Sequence, residues 1–115
     1  MNYIDGFVAA VQSTKQEEYL AFVRATQPIF KEYGALRMVE GWGDDVPDGS
    51  LTDFRKAVKA EDGEVVLFSW VEWPSKEVRD AGMKKLFEDP RMRDLQMPFD
   101  GKRMIYGGFR PIFDA

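Results

Sequence analysis

The segment that most constrains the fold is one whose two alternate faces are both apolar. Residues 64–73, EVVLFSWVEW, are rich in β-branched and aromatic residues and predict a strand. Successive side chains of a strand point to opposite faces of its sheet, so both faces of this strand need cover. Residues 2–11, NYIDGFVAAV, repeat the two-sided apolar pattern. The sheet must therefore be covered on both sides.

A long amphipathic helix is predicted between these two segments. Its apolar positions recur at spacings of three and four residues: Tyr19, Phe22, Val23, Thr26, Ile29, Phe30 and Tyr33. Thr14 followed by Glu17 is typical of a capping box at the helix start. Gly34 provides a left-handed stop, and Pro28 predicts a kink or a local break.

The remaining elements complete an alternating order. A second helix is expected after Pro74, with Ser75 as N-cap and with Asp89 and Pro90 closing it and opening another short helical turn. Further strands are expected over residues 35–42 and 102–109, and a short helix over 53–60 capped by Thr52. This β-α-β-(short α)-β-α-β order predicts an α+β, ferredoxin-like βαββαβ fold with a four-stranded antiparallel sheet.

The predicted fold leaves one sheet face uncovered. Two helices cover only one face of a four-stranded sheet, and a large apolar patch in water is unfavourable. A second copy of the sheet is the simplest cover, so we expect a homodimer joined through its sheets. The 115 residues contain no linker or repeat and are expected to form a single domain over residues 1–115.

Two residue types are missing, and their absence restricts the possible chemistry. The chain has no Cys and no His. It therefore has no disulfide, no thiolate nucleophile, no Ser-His-Asp triad and no zinc or haem site built on these residues. Acid–base chemistry would depend on carboxylates, Tyr, Lys or Arg. No phosphate-binding glycine motif occurs, and we expect no cofactor.

The charge pattern argues against several classes of partner. The 16 Lys and Arg residues against 20 Asp and Glu give a net charge of -4 without a basic stripe, which disfavours nucleic-acid binding. No apolar stretch approaches a membrane span, and residues 1–6 do not resemble a signal peptide. We therefore expect a cytoplasmic protein that binds neither membrane nor nucleic acid.

Four residues are candidates for a catalytic or ligand-binding role. Asp5 lies within an apolar strand, where a carboxylate is either paired or shifted in pKa. Arg37, Arg55 or Arg103 could pair with it. Such an ion pair could fix the strand register or the dimer. Alternatively, Asp5 could act as a general base in the cleft. Arg37, Arg103 and Tyr106 are also candidate ligand contacts.

Some other polar and aromatic residues have both a functional and a structural interpretation. Tyr106 precedes Gly107 and Gly108, so it could contact a ligand or form a β-bulge with a packed ring. Glu40 and Glu72 pose the same question as Asp5, although either could face water at an edge. The tryptophans are expected to act as core or interface anchors rather than a cofactor site: Trp42, Trp70 and Trp73.

An acidic loop is the remaining candidate site. Residues 43–50 carry Asp44, Asp45 and Asp48, whose oxygens could bind Mg²⁺ or Ca²⁺. The loop lacks EF-hand spacing, and such aspartates commonly cap turns in a solvated loop. We expect no metal here and keep these three residues only as weak candidates for a cation site.

The sequence also resembles a known family over nearly its whole length. The similar segments cover residues 3–8, 30–37, 42–49, 52–55, 68–70, 73–81, 89–92 and 97–109, and include WGDDVPDG and MPFDGKRMIYGGF. They resemble the YbaA-like family of uncharacterised bacterial proteins, a domain of unknown function. The resemblance implies a dimeric α+β barrel and no established activity, substrate or catalytic residue.

Two kinds of function remain open. One is a dimer that binds a small molecule or acts as a cofactor-independent enzyme, suggested by an aromatic-rich cleft with isolated polar groups. Enzymes with similar barrels are known, but fold likeness is weak support for an activity. The other is a structural or protein-interaction module without catalysis, in which every candidate residue has a structural role.

Overall fold

The computed structural model describes all residues, 1–115, and contains four strands and four α-helices. In chain order these are β1 (Tyr3–Gln12), α1 (Gln16–Glu32), β2 (Arg37–Trp42), α2 (Phe54–Ala57), β3 (Glu64–Trp73), α3 (Lys76–Glu88), α4 (Pro90–Arg93) and β4 (Ile105–Phe109). A 3-10 turn, Ser13–Lys15, joins β1 to α1. The α+β, ferredoxin-like βαββαβ fold is confirmed.

The strands form one antiparallel sheet in the order β2-β3-β1-β4. The two strands with two-sided apolar patterns, β1 and β3, are central and pair over ten positions, from Tyr3 opposite Trp73 to Gln12 opposite Glu64. Because β2 and β4 lie at the edges, the most apolar strands have neighbours on both sides.

One face of the sheet packs against α1 and α3. Trp73, fully buried, packs with Ile29 of α1 and Leu86 of α3. Farther along the sheet, Tyr19 of α1 packs on Ala9 and Leu67. The predicted apolar stripe of α1 is the buried one, so the helical periodicity identified the core side of this helix.

Two predicted N-caps differ from those observed. No side chain caps the start of the first helical segment, so the capping box of Thr14 and Glu17 is wrong. The chain instead enters α1 through the 3-10 turn. The short helix is confined to Phe54–Ala57 and is capped by Asp53 rather than Thr52. Asp53 accepts hydrogen bonds from the backbone N–H groups of Lys56 and Gly49, so its carboxylate organises the loop on both sides.

Other local predictions hold. Ser75 caps α3 by accepting a hydrogen bond from the N–H of Val78, at 3.1 Å. Asp89 ends α3 and caps α4, with Pro90 in the first turn. Gly34 has φ +111°, the left-handed conformation that ends α1. In contrast, α1 continues through Pro28 as one helix, so the predicted local break at this proline is wrong.

The opposite face of the sheet is only partly covered. After α2, Val58 packs on Ala10 and Val66 near one end of β1 and β3. The ring of Phe54 contacts that of Phe68, with centroids 5.9 Å apart. The other end of this face, toward the start of β1, has no helix over it.

Candidate functional site

The uncovered part of this face is an apolar depression of about 490 Å³. We call it the open sheet face, and eight of the nine residues that line it are hydrophobic. Strand alternation places seven of them on this face: Ile4, Gly6, Val8, Phe68, Trp70, Ile105 and Phe109. Phe7 and Tyr106 complete the lining, although their side chains alternate to the other face. Phe68, Ile105 and Phe109 are 46%, 46% and 62% exposed. Large side chains of this kind are normally covered when they lie together.

Glycines shape the middle of the open sheet face. Gly6 of β1 lies directly opposite Gly107 of β4. A Cβ atom at either position would lie 3.6–3.7 Å from the ring of Phe109. The ring therefore lies against backbone rather than against side chains, and its outer surface stays exposed.

On the helix-covered face, Asp5 is fully engaged with neighbouring side chains. Its carboxylate accepts hydrogen bonds from the Arg79 guanidinium, the shortest being 2.8 Å, and from Nε1 of Trp73 at 2.9 Å. The predicted partners Arg37, Arg55 and Arg103 are therefore wrong. Asp5 is only 4% exposed, so the pair ties β1 to α3 inside the core.

This pair also accounts for one of the two consecutive glycines of β4. Gly108 lies opposite Asp5 in the sheet. A Cβ at Gly108 would overlap the hydroxyl of Tyr3 and Nη2 of Arg79. The Arg79 guanidinium lies over the Tyr3 ring, 5.2 Å from its centroid. Gly108 thus leaves room for a cation–π contact and the buried ion pair.

Glu40 of β2 has a different environment. The Tyr19 hydroxyl donates a hydrogen bond to Oε2 of Glu40 at 2.7 Å. Burial raises the pKa of Glu40, while hydrogen bonds from the hydroxyls of Tyr19 and Ser69 partly offset the rise. Burial and the nearby Glu40 carboxylate raise the pKa of Tyr19 as well. Unlike Asp5, Glu40 forms no salt bridge, and its carboxyl group therefore holds a proton more readily than an ordinary glutamate.

Glu40 belongs to a polar and aromatic row that crosses the helix-covered face. The register places Glu40 opposite Ser69, Ser69 opposite Phe7, and Phe7 opposite Tyr106. The rings of Phe7 and Tyr106 are stacked with centroids 6.4 Å apart. Tyr106 is 74% exposed. The ladder between β1 and β4 is regular through Gly107 and Gly108, so the predicted β-bulge with a packed tyrosine is wrong.

The two candidate arginines lie in separate places. Arg37 is on the outer edge of the sheet, opposite Glu72, with 3.7 Å between charged atoms. Arg103 binds Glu64 and Asp100 at 2.8 and 3.0 Å. Its guanidinium holds the pKa of Glu64 down, at about 2. Asp5 and Tyr106 share the helix-covered face, but Arg37 and Arg103 are each tied to another carboxylate, and the four do not form one cluster.

The acidic loop has no metal-binding geometry. Asp44, Asp45 and Asp48 are all exposed, and no group of three acidic side chains converges as a cation would require. The carboxylate that organises the end of this region is Asp53, through its hydrogen bonds to Gly49 and Lys56.

Sequence reasoning missed the part played by two residues. Arg79 is 74 positions from Asp5, and nothing in the sequence of the second helix placed it over β1. Tyr19 was identified as a core residue, but its bond to Glu40 depends on how α1 crosses the sheet. The polar residues Glu40 and Ser69, each inside a largely apolar strand, are the sequence signal that could have indicated this pairing.

Known proteins resemble this chain closely in sequence. The family model described as protein of unknown function, DUF1428, matches residues 2–101. The uncharacterized protein YbaA of Escherichia coli K12 is 60% identical over 116 residues, covering 99% of both chains. The YbaA protein of Shigella flexneri has the same identity and coverage.

Two solved structures share the fold at low sequence identity. A dimeric ferredoxin-like protein from an uncultured marine organism matches with a TM-score of 0.63 at 11% identity, covering 100% of both chains. Rv0793 from Mycobacterium tuberculosis matches with a TM-score of 0.51 at 13% identity, covering 100% of this chain and 99% of the other. These likenesses support the fold and carry no activity.

The family match and the YbaA identities cover nearly the whole chain. No helix in the structure has the length and apolar character needed to cross a membrane. The chain belongs to the YbaA-like family described as DUF1428, a family of unknown function.

Proposed function

We propose that this chain acts as a homodimer in which two open sheet faces pack against each other. The observation that carries the proposal is the group of apolar side chains on that face: Ile4, Val8, Phe68, Trp70, Ile105 and Phe109. Packed face to face, the sheets would remove the exposed parts of Phe68, Ile105 and Phe109 from water. The charged residues of this face, Arg37 and Glu72, face each other at one end of β2 and β3, where the proposed interface would have its polar rim.

A second observation supports the same assembly. The fold neighbour from the marine organism is described as dimeric. Its sequence identity is too low to transfer an interface residue by residue. A two-fold contact between copies of one face is also the commonest form of small oligomer.

Sedimentation velocity at micromolar concentration tests the dimer directly. We expect the protein to sediment at twice the chain mass, and Phe68→Asp or Ile105→Asp to shift it to the monomer. A carboxylate in the middle of an apolar interface would be buried without a partner. Phe87→Asp is the matched control, because Phe87 is 73% exposed on α3, in the helical layer. A wild-type protein that stays monomeric would contradict the proposal.

A second candidate function is binding or proton transfer to a small molecule at Glu40. The favouring observation is a partly buried carboxyl group without a cation, bonded to two hydroxyls and with a raised pKa. A carboxyl group whose pKa is raised holds a proton more readily than an ordinary glutamate, as a general acid requires. Tyr106 is exposed at the far end of the same row, three strand spacings or about 14 Å from Glu40 between backbone positions.

A thermal-shift screen would test this candidate. The probes are small carboxylic acids, phenols and carbonyl compounds, measured at pH 5 and pH 7. We expect at least one class to stabilise the wild type and to lose its effect in Glu40→Gln. Glu17→Gln is the matched control, because Glu17 is an exposed carboxylate on the same protein. No stabilisation by any class would favour the alternative of a structural or interaction module without catalysis.

The other candidate residues fit structural roles better. Asp5 and Arg103 each have their polar atoms occupied by partners within the chain. Arg37 lies near the rim of the proposed interface, paired with Glu72, and Tyr106 is the exposed one of the four whose polar group makes no side-chain bond or ion pair within the chain. A cytoplasmic location and the absence of nucleic-acid partners stay predictions from composition.

A further inference from the structure

We propose that residues 110–115 form an arm that packs on the partner subunit, with Ile112 and Phe113 against the partner's Leu51 and the partner's Phe54. The proposal rests on the homodimer proposed above and adds a second contact to it. Its occupant is therefore a second copy of this chain.

The arm carries large apolar side chains that find no cover in their own chain. Ile112 is 84% exposed and Phe113 is 83% exposed. The arm is neither helix nor strand. Pro111 lacks an N–H group, so β4 cannot extend its ladder along β1 at this position. These residues thus lie beyond the sheet as a short irregular segment with a bend at Ile112.

The arm leaves the sheet at the bare end of the open sheet face. β4 ends at Phe109, which lies opposite Ile4 near the start of β1. The other end is covered by α2 and the residues after it, residues 54–60, which we call the α2 segment; there Val58 packs on Ala10. Ile4 and Ala10 are six residues apart, so the bare and covered ends are separated by about 20 Å along the strand.

The position of α2 selects one way of stacking two sheets. If both α2 segments lay at the same end of the interface, they would hold the sheets apart. With the ends reversed, each α2 segment lies over the bare end of the partner sheet, and both apolar faces close. A two-fold axis across the strands produces this arrangement. It brings the arm of one copy beside the α2 segment of the other.

The surface met there is complementary to the arm. Leu51 is 95% exposed just before α2, and Phe54 is 46% exposed in its first turn. The arm carries one cation, Arg110, and one anion, Asp114. Asp114 is next to Phe113 and can meet Lys59, which is exposed in the α2 segment. The proposed contact therefore covers exposed apolar side chains on both copies.

Disulfide cross-linking tests the contact cleanly because the natural chain has no Cys. We expect the double variant Leu51→Cys with Phe113→Cys to form a covalent dimer on mild oxidation, reversed by a thiol reductant. The pair Phe87→Cys with Phe113→Cys is the control, since Phe87 lies on α3 in the helical layer. Both variant positions are exposed, so the fold should not change.

Dimer affinity gives an independent measurement. We expect Ile112→Ser with Phe113→Ser to raise the dimer dissociation constant by about tenfold or more, because two large interface side chains are lost. The same double variant should keep the circular dichroism spectrum of the wild type. Phe87→Ser should leave the dissociation constant within about twofold.

The outcomes separate the arm from the dimer itself. A wild-type dimer that is neither cross-linked through positions 51 and 113 nor weakened by the serine variant overturns the arm and leaves the sheet-to-sheet dimer standing. An oxidised product that is a cross-linked monomer also overturns it. A wild-type monomer overturns both proposals.

Discussion

Asp5 is only 4% exposed within β1, and a buried charge without a partner there would be costly. Arg79 and Trp73 satisfy both carboxylate oxygens. A buried ion pair adds little net stability over a good apolar replacement, but removing one member leaves the other charge stranded. Because removing one member costs more than replacing both, substitutions in this pair can test whether it holds α3 on the sheet.

Arg79→Met should therefore destabilise the protein by about 3 kcal/mol, because Asp5 stays buried without its cation. The double variant Asp5→Asn with Arg79→Met should recover part of this loss, since no charge is then left unpaired. Urea unfolding followed by circular dichroism measures both. Arg24→Met, an exposed position on α1, is the control. A loss below about 0.5 kcal/mol for Arg79→Met would show that the pair contributes little.

Arg103 makes a different prediction through pH. Its hydrogen bonds lower the pKa of Glu64 from 4.5 to about 2 in the folded chain. The folded state thus binds fewer protons than the unfolded state between these values. Stability from this carboxylate is fully present above pH 4.5 and is lost as the pH falls toward 2.

Glu64→Gln removes that titrating group and should flatten the fall of the unfolding free energy across this window. Asp53, Asp80, Asp89 and Asp100 also have lowered pKa values, so the wild type loses stability to acid in several places. The difference between wild type and variant isolates Glu64. Parallel acid profiles for the two proteins would contradict the assignment.

Which residues would be polar and buried was visible in the sequence, but their partners were not. Asp5 stands out because its strand is apolar on both faces. Its true partner is 74 residues away on a helix, and only the crossing of α3 over β1 brings Arg79 near. The three arginines named as partners lie on other elements, and their distance from Asp5 could not be read from spacing.

At the scale of elements, α3 approaches the sheet and α1 through Gly82. This glycine is buried, and a Cβ there would lie 2.6 Å from the carbonyl oxygen of Tyr33 and 2.7 Å from the Trp73 ring. The contact joins the end of α1, the middle of α3 and the end of β3. None of these atoms belongs to a flexible side-chain tip.

Gly82→Ala separates packing from helix propensity. In an exposed helix interior this change stabilises by about 0.5–1 kcal/mol. Here we expect a loss of about 1–3 kcal/mol, because the added methyl group displaces backbone or the indole ring. Chemical unfolding measures the sign. Lys84→Ala on the exposed side of α3 should change stability little, and a stabilised Gly82→Ala would show that the helix moves outward without cost.

Strand and helix identities were predictable because the apolar periods differ clearly between them. The helix ends were less so. Asp89 and Ser75 act as caps, as predicted. The short helix is capped by Asp53 instead of Thr52, because the Asp53 carboxylate accepts hydrogen bonds from N–H groups on both sides. Thr14 failed because the chain enters α1 through a 3-10 turn. Where two neighbouring residues can both act as N-cap, the geometry of the preceding loop decides which of them caps the helix.

For the whole molecule, the two-sided pattern of β1 and β3 was the most informative feature of the sequence. One apolar face of the sheet packs against α1 and α3, and the other is covered only near Val58. A monomer of 115 residues with this exposed face would sacrifice part of its hydrophobic driving force. The proposed second copy would supply the cover that no element of the chain provides.

If the face closes against a second copy, folding and association are linked. The unfolding midpoint should then rise with protein concentration, because mass action favours the dimer. A hundredfold increase in concentration should raise it by about 5 °C for a chain of this length. Differential scanning calorimetry across that range measures the shift. Ile105→Asp should unfold at a lower temperature that is independent of concentration, and a wild-type midpoint equally independent would mean that the open sheet face stays in water.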